Sequence, residues 1–103
     1  MNYISCIVQI LEIPTTIEVY DYTIEKIKFK VQLPYSRNKL QLEENSSIIV
    51  YSVIWGNLVY DLLNYYNVND YVLIEAYIST SLTIPKNKRL ISLNIIKMFP
   101  LLF

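Results

Sequence analysis

The sequence predicts an all-β fold carrying one short helix, and three stretches predict it. Between Thr23 and Leu33, Ile27, Phe29, Val31 and Leu33 alternate with Lys26, Lys28, Lys30 and Gln32. A period of two sends one set into a core and the other to the surface of a pleated strand. The run Ile48-Ile49-Val50-Tyr51-Ser52-Val53-Ile54-Trp55 is apolar and β-branched, and it ends at Gly56, the chain's one glycine. From Tyr71 to Ser79, Val72, Ile74, Ala76 and Ile78 alternate with Leu73, Glu75, Tyr77 and Ser79. At 103 residues the chain is long enough for one modest core and too short for two, so residues 1–103 read as a single domain.

The other elements follow in order. A first strand is expected from Tyr3 to Ile13, apolar at Ile4, Cys6, Ile7, Val8, Ile10 and Leu11. A strand covered on both faces, by the core on one and a partner on the other, reads this way. Pro14-Thr15-Thr16 breaks it, and Ile17–Tyr22 pairs as a short extension with Glu18 and Asp21 facing solvent. Pro34–Ser47 is a polar loop. After Gly56 the spacing changes to 3.6: Leu58, Val59, Leu62, Leu63 and Tyr66 share a helix face, opposite Tyr60, Asp61 and Asn64. Asn57 is the expected N-cap. Asn67-Val68-Asn69-Asp70 supplies turn chemistry, with Asn69 suited to the left-handed region. Thr80–Lys88 connects to a last strand, Arg89–Lys97, expected to bury Ile91, Leu93 and Ile95. The apolar end, Phe99-Pro100-Leu101-Leu102-Phe103, packs on the fold or on a partner.

Hydrophobic residues make up 53% of the chain and mean hydropathy is +0.30, high for a soluble monomer. Polar residues such as Ser52, Gly56 and Asp61 interrupt every apolar run short of the roughly 18 residues of a membrane span. Membrane insertion is therefore not expected. The amino end lacks a basic segment followed by a long apolar core, so no secretory signal is expected either. Surplus apolar surface then points to a subunit interface and an oligomer.

Nine Lys+Arg balance nine Asp+Glu, where a nucleic-acid binder usually carries a basic surplus. The distribution is uneven, however. Lys26, Lys28, Lys30, Arg37 and Lys39 fall in one window without an acid; Lys86, Lys88, Arg89 and Lys97 fall in another. Lysines at alternate strand positions place three ammonium groups about 7 Å apart on one face, a spacing comparable to the phosphates of an extended single strand. The same lysines equally fit a solvated face that discourages edge pairing. Alternation alone does not separate the two.

Catalysis is poorly supported. The chain has no histidine, the commonest acid–base group, and its lone Cys6 makes neither a disulfide nor a thiolate metal site. Cys6 reads as a small core residue. One glycine excludes the phosphate-binding loops that need several. Neither an enzyme, nor a metal, nor a cofactor is expected.

Val53-Ile54-Trp55-Gly56-Asn57-Leu58, then Tyr65-Tyr66 and Val72-Leu73-Ile74-Glu75, resemble the bacterial-type single-stranded DNA-binding protein family. That family's pattern reads apolar-apolar-aromatic-Gly-x-Leu, a helix, a turn, then Val-x-Ile-Glu-Gly. The similarity runs ungapped through this unit and more loosely over most of the chain. It looks most like the short plastid-encoded members, and an Ile-, Asn-, Tyr- and Lys-heavy composition fits an AT-rich organelle genome. The resemblance implies an OB-fold, a five-stranded Greek-key barrel with a helix between its third and fourth strands. It also implies that Ile49, Tyr51, Val53 and Trp55 face DNA, with Trp55 where the family stacks a base. Tyr51 falls where a basic residue is common, Ile49 where an aromatic is common, and Ala76 replaces the usual glycine. The connection before the last strand is shorter than the DNA-wrapping hairpin of longer members. An acidic-tipped tail of the kind that recruits replication proteins in longer members is not expected here.

The expectation is sequence-tolerant binding of single-stranded DNA, or of RNA, in DNA replication and maintenance. Tyr51, Trp55 and Tyr77 would stack bases, while Lys26, Lys28, Lys30, Lys86, Lys88 and Arg89 contact phosphates. The protein would be a homodimer or homotetramer with replication-protein contacts, located in the plastid or else in the cytoplasm. The alternative is an OB-fold assembly subunit without nucleic-acid binding, since fold does not dictate function.

Overall fold

The computed structural model describes residues 2–20, 24–33, 48–83 and 88–101, with backbone alone for residues 20, 81–83, 88 and 89. The polar loop expected at 34–47 lies outside the described residues. The elements run β1 (Asn2–Ile10), β2 (Glu18–Tyr20), β3 (Ile24–Leu33), β4 (Ile48–Trp55), α1 (Asn57–Tyr65), β5 (Tyr71–Thr83) and β6 (Lys88–Pro100).

The sheet order is β1-β5-β6-β4-β3-β2, and a further β1–β3 pairing closes the five long strands into a ring. All neighbours are antiparallel except β4 and β6, which run parallel through Tyr51↔Ser92, Ser52↔Leu93 and Val53↔Asn94. This is the OB-fold barrel that the family resemblance implies, with β2 as the short extension pairing Glu18↔Lys26 and Tyr20↔Ile24 on β3. Closure between β1 and β3 rests on Gln9↔Gln32 and Ile10↔Val31. The same edge of β1 from Asn2 to Val8 has no strand partner among the described residues.

Inward side chains fill the barrel in the alternation read from sequence. Ile27, Phe29 and Val31 on β3, Val50 and Ile54 on β4, and Val72, Ile74 and Ala76 on β5 are buried. Val8 and Ile10 come from β1, Leu93 and Ile95 from β6. Each such side chain removed from water contributes roughly 1.5–3 kcal/mol, which makes this the main stabilising term. Ser52 also faces the core, and its hydroxyl has no hydrogen-bond partner among the described residues. The first strand is covered on one face only: Cys6 is half-buried against the core, whereas Tyr3 and Ile7 are exposed.

α1 plugs one end of the barrel with Val59, Leu62 and Tyr66. Leu63, expected on that face, is exposed, because its position turns it toward the helix flank. The N-cap is Gly56, not Asn57, and no side chain caps the helix. The cause is backbone conformation. Gly56 adopts φ 64°, ψ −129°, open to glycine and costly to other residues. This bend lets its N–H donate to the Glu25 carbonyl (2.9 Å) and its carbonyl accept from Val59 N–H (3.0 Å). Asn69 takes φ 78°, as its residue type suggested.

Several strand boundaries differ from expectation. β1 ends at Ile10 rather than Ile13, with one further bond to β3 beyond it, from Leu11 N–H to the Lys30 carbonyl (3.0 Å). β5 and β6 are longer than expected and pair to Thr83↔Lys88. Their alternation weakens in Ser79–Thr83, but the backbone ladder continues without needing apolar side chains.

Candidate nucleic-acid interface

The lysines of β3 and the rings of β4 occupy one surface because their registers coincide. Lys26 is paired with Trp55, Lys28 with Val53, Lys30 with Tyr51 and Gln32 with Ile49. Cross-strand partners point to the same side of a sheet, and here that side is outside the barrel. The ammonium groups lean onto the rings: Lys26 Nζ lies 5.3 Å from the Trp55 ring centroid. Lys28 Nζ lies 4.8 Å and Lys30 Nζ 5.8 Å from that of Tyr51. Tyr51 is 43% exposed and Trp55 is partly exposed. Lys26 is also shared with Glu18, whose Oε1 sits 3.8 Å from its Nζ.

Ammonium groups over exposed rings are held by about 0.5–1 kcal/mol each. A base stacked on such a ring gains about 1–3 kcal/mol, and a phosphate pairs more strongly with the lysine than a ring does. The arrangement can therefore exchange cation–ring contacts for base–ring and phosphate–lysine contacts without moving the backbone.

Tyr77 is on the same outer surface but at a distance. Register links Lys28 to Val53, Val53 to Asn94, Asn94 to Tyr77 and Tyr77 to Tyr3. Tyr77 thus stands three strands from Lys28, about 14 Å at the usual strand spacing. Its ring meets Tyr3 edge-on (centroids 5.2 Å apart, 67° between planes). Tyr3 in turn donates to Glu75 Oε1 at 2.5 Å. This second aromatic cluster is separate from the first. Lys88 and Arg89 begin β6, across the ladder from Thr83 and Leu82, and their side chains are outside the described set. Lys86 lies outside the described residues.

One feature of the surface escaped the sequence. Ile91, expected in the core, is 44% exposed, and Leu90 beside it is exposed as well. With Ile48, Ile49, Tyr51 and Lys28 they line a groove of about 470 Å³ between the starts of β4 and β6. At this barrel end the strands outrun the core, so both faces of each meet solvent. Two adjacent apolar pairs, Ile48-Ile49 and Leu90-Ile91, were the available signal, since they break a period of two.

The ring of five strands, its parallel junction and the intervening helix define the chain as an OB-fold barrel. The single-stranded DNA-binding domain of a Synechococcus protein matches it with a TM-score of 0.71 and 17% identity, over 96% of this chain and 94% of that one. The second single-stranded DNA-binding protein of Mycobacterium smegmatis gives 0.69 and 17%, over 96% and 87%. A mitochondrial single-stranded DNA-binding protein of S. cerevisiae gives 0.67 and 12%, over 97% and 94%. No family model matches the chain. By sequence it is 38% identical over 79 residues to a Trieres chinensis protein, ycf41, provisionally named as a single-stranded DNA-binding protein. That match covers 77% of this chain and 66% of the relative's length. By fold and sequence together, the chain belongs to the bacterial-type single-stranded DNA-binding protein family.

Among the described residues no helix is long and apolar enough to cross a membrane, and no three acidic or cysteine side chains gather as a metal site.

Proposed function

We propose that this protein binds single-stranded DNA with little sequence preference, in DNA replication and maintenance. The observation that carries this reading is the β3–β4 strip, where Lys26, Lys28 and Lys30 alternate beside Tyr51 and Trp55 on one outer surface. Bases stack on the two rings while the three lysines follow the phosphates. Lys86, Lys88 and Arg89 extend the phosphate contacts, and Tyr77 adds a platform further along. Nothing in this scheme uses a catalytic group.

The edge of β1 from Asn2 to Val8, which has no strand partner among the described residues, is a template for another strand. With the exposed Tyr3 and Ile7 beside it, it supports pairing of two copies into a homodimer, or a tetramer of two such pairs. Kinship with ycf41 and the AT-rich composition support a plastid location.

Fluorescence anisotropy with a labelled dT oligonucleotide, its duplex and the matching RNA, at two salt concentrations, tests the reading. Binding to the single strand should exceed that to the duplex. The slope of log K against log salt should fall between about −2 for three phosphate contacts and about −4 for six. Equal binding of single strand and duplex would contradict stacking. Comparable binding of RNA would widen the substrate class.

A further inference from the structure

A second pocket, of about 340 Å³, opens where the end of α1, the turn after it and the end of β6 meet. Its walls are Tyr65, Tyr66, Tyr71 and Asp70, with Pro100 and Leu101 at one side. It shares no residue with the β4–β6 groove, and none of its lining residues belongs to the lysine strip.

The chemistry of the lining selects for positive charge. Ring faces of tyrosine attract an organic cation through their quadrupoles, and a carboxylate beside them adds a full charge and a hydrogen-bond acceptor. The local field has the same sign. The Tyr66 phenol is pushed up, first by burial and then by the charges of Asp61 and Asp70. Of those two carboxylates, Asp70 lines the pocket itself and Asp61 adds its charge from outside the lining. Every basic residue of the chain falls in 26–39 or 86–97, and among the described residues none lines the pocket.

The pocket is also held in shape. Asn69 N–H donates to the Ile10 carbonyl (2.7 Å), and Ile10 N–H donates to the Asp70 carbonyl (2.9 Å). Asp70 Oδ2 accepts from Asn67 N–H (2.8 Å), which orients the carboxylate. Little ordering cost remains for a ligand. Tyr65 at 74% exposure and the half-exposed Tyr71 present their rings to solvent.

We propose that this pocket takes an arginine side chain from a basic segment of a partner protein. A guanidinium stacks flat on a tyrosine ring while its N–H groups reach a carboxylate, a pairing that an ammonium makes less well. A polynucleotide is disfavoured there, because Asp61 and Asp70 repel phosphate. The partner would thus be recruited at a face distinct from the one proposed for DNA.

The test uses the full chain, isotope-labelled for amide NMR, and an acetylated, amidated Gly-Arg-Gly-Arg-Gly peptide. A control peptide carries citrulline, neutral and of the same shape, in place of each arginine. The arginine peptide should shift the amides of Tyr65, Asn69, Asp70 and Tyr71, with at least tenfold tighter binding than the citrulline peptide. Tyr65→Leu, at an exposed position, and Asp70→Asn should each weaken it severalfold while other amides stay in place. Equal shifts from both peptides, or affinity unchanged in both variants, would overturn the proposal. So would shifts at these amides from dT oligonucleotide, or from raising the concentration of the protein alone, since either names a different occupant.

Discussion

Lys28 and Tyr51 meet diagonally across the β3–β4 ladder, with the ammonium nitrogen 4.8 Å from the ring centroid, although the residue directly opposite Lys28 is Val53. The lysine passes over a small neighbour to reach a ring that Lys30 approaches from its own row. One exposed ring therefore gathers two cations, whose mutual repulsion is screened by water and salt at this exposed site.

Changing either partner separates the two contributions to strand binding. Lys28→Gln should weaken dT binding uniformly across sequences and flatten the salt slope by about 0.7. Tyr51→Leu should cost about 1–3 kcal/mol of binding and leave the slope nearly unchanged. Both side chains are exposed, so chemical denaturation should give stability within about 0.5 kcal/mol of the parent. A slope that drops in Tyr51→Leu as much as in Lys28→Gln would contradict the division of roles.

Glu18 competes with phosphate for Lys26. Its carboxylate lies 3.8 Å from the ammonium, with Glu18 exposed and Lys26 partly so, and such a surface pair is worth little to folding. Glu18→Gln should therefore tighten dT binding a few-fold at low salt, and the gain should fade at high salt. Anisotropy titrations of the two proteins side by side check this. Unchanged or weaker binding in Glu18→Gln would remove Lys26 from the phosphate path.

Ser52 faces the core opposite Phe29 on β3 and Leu93 on β6, with its hydroxyl lacking a hydrogen-bond partner among the described residues. An unpartnered buried hydroxyl costs about 1–3 kcal/mol. Ser52→Ala should raise unfolding stability by about 1 kcal/mol and Tm by several degrees, read by denaturant and thermal melts. A clear loss of stability would mean that the hydroxyl is bonded in solution.

The tyrosines predict a loss of stability in alkali. The hydrogen bond to Glu75 Oε1, more than burial or the Glu75 charge, raises the Tyr3 phenol from its ordinary 10.0 to about 12. Tyr60 is raised by its bond to Glu25, and Tyr66 chiefly by burial. The folded state then holds these protons more tightly than the unfolded one. Their stabilisation is complete below pH 10 and, for Tyr3, is lost as pH climbs to about 12. Melts across that range should show Tm falling less steeply in Tyr3→Phe than in the parent. Parallel curves for the two proteins would contradict the Tyr3 assignment.

The parts of this fold that were legible in the sequence are those where burial alternates. Ile27, Phe29 and Val31 announced β3 and its inward face, and Val72, Ile74 and Ala76 did the same for β5. What stayed hidden depends on pairs of strands rather than on one. No pattern within β3 or β4 says that Lys26 will stand beside Trp55 and Lys30 beside Tyr51; that is set by inter-strand register. The exposed Ile91 was hidden for a related reason. Its apolar character said core, but β6 extends past the core at that point, so position along the barrel axis decided its exposure. The cap on α1 turned on a backbone angle at Gly56, and the preference of Asn57 for capping could not compete with it.

The most direct measurement is the emission of Trp55, the chain's single tryptophan, during titration with dT oligonucleotide at low salt and then with added salt. Stacking on the β3–β4 strip predicts saturable quenching that salt reverses. Emission that stays constant at low salt, while the same oligonucleotide is bound by anisotropy, would contradict the account by placing the strand elsewhere on the barrel.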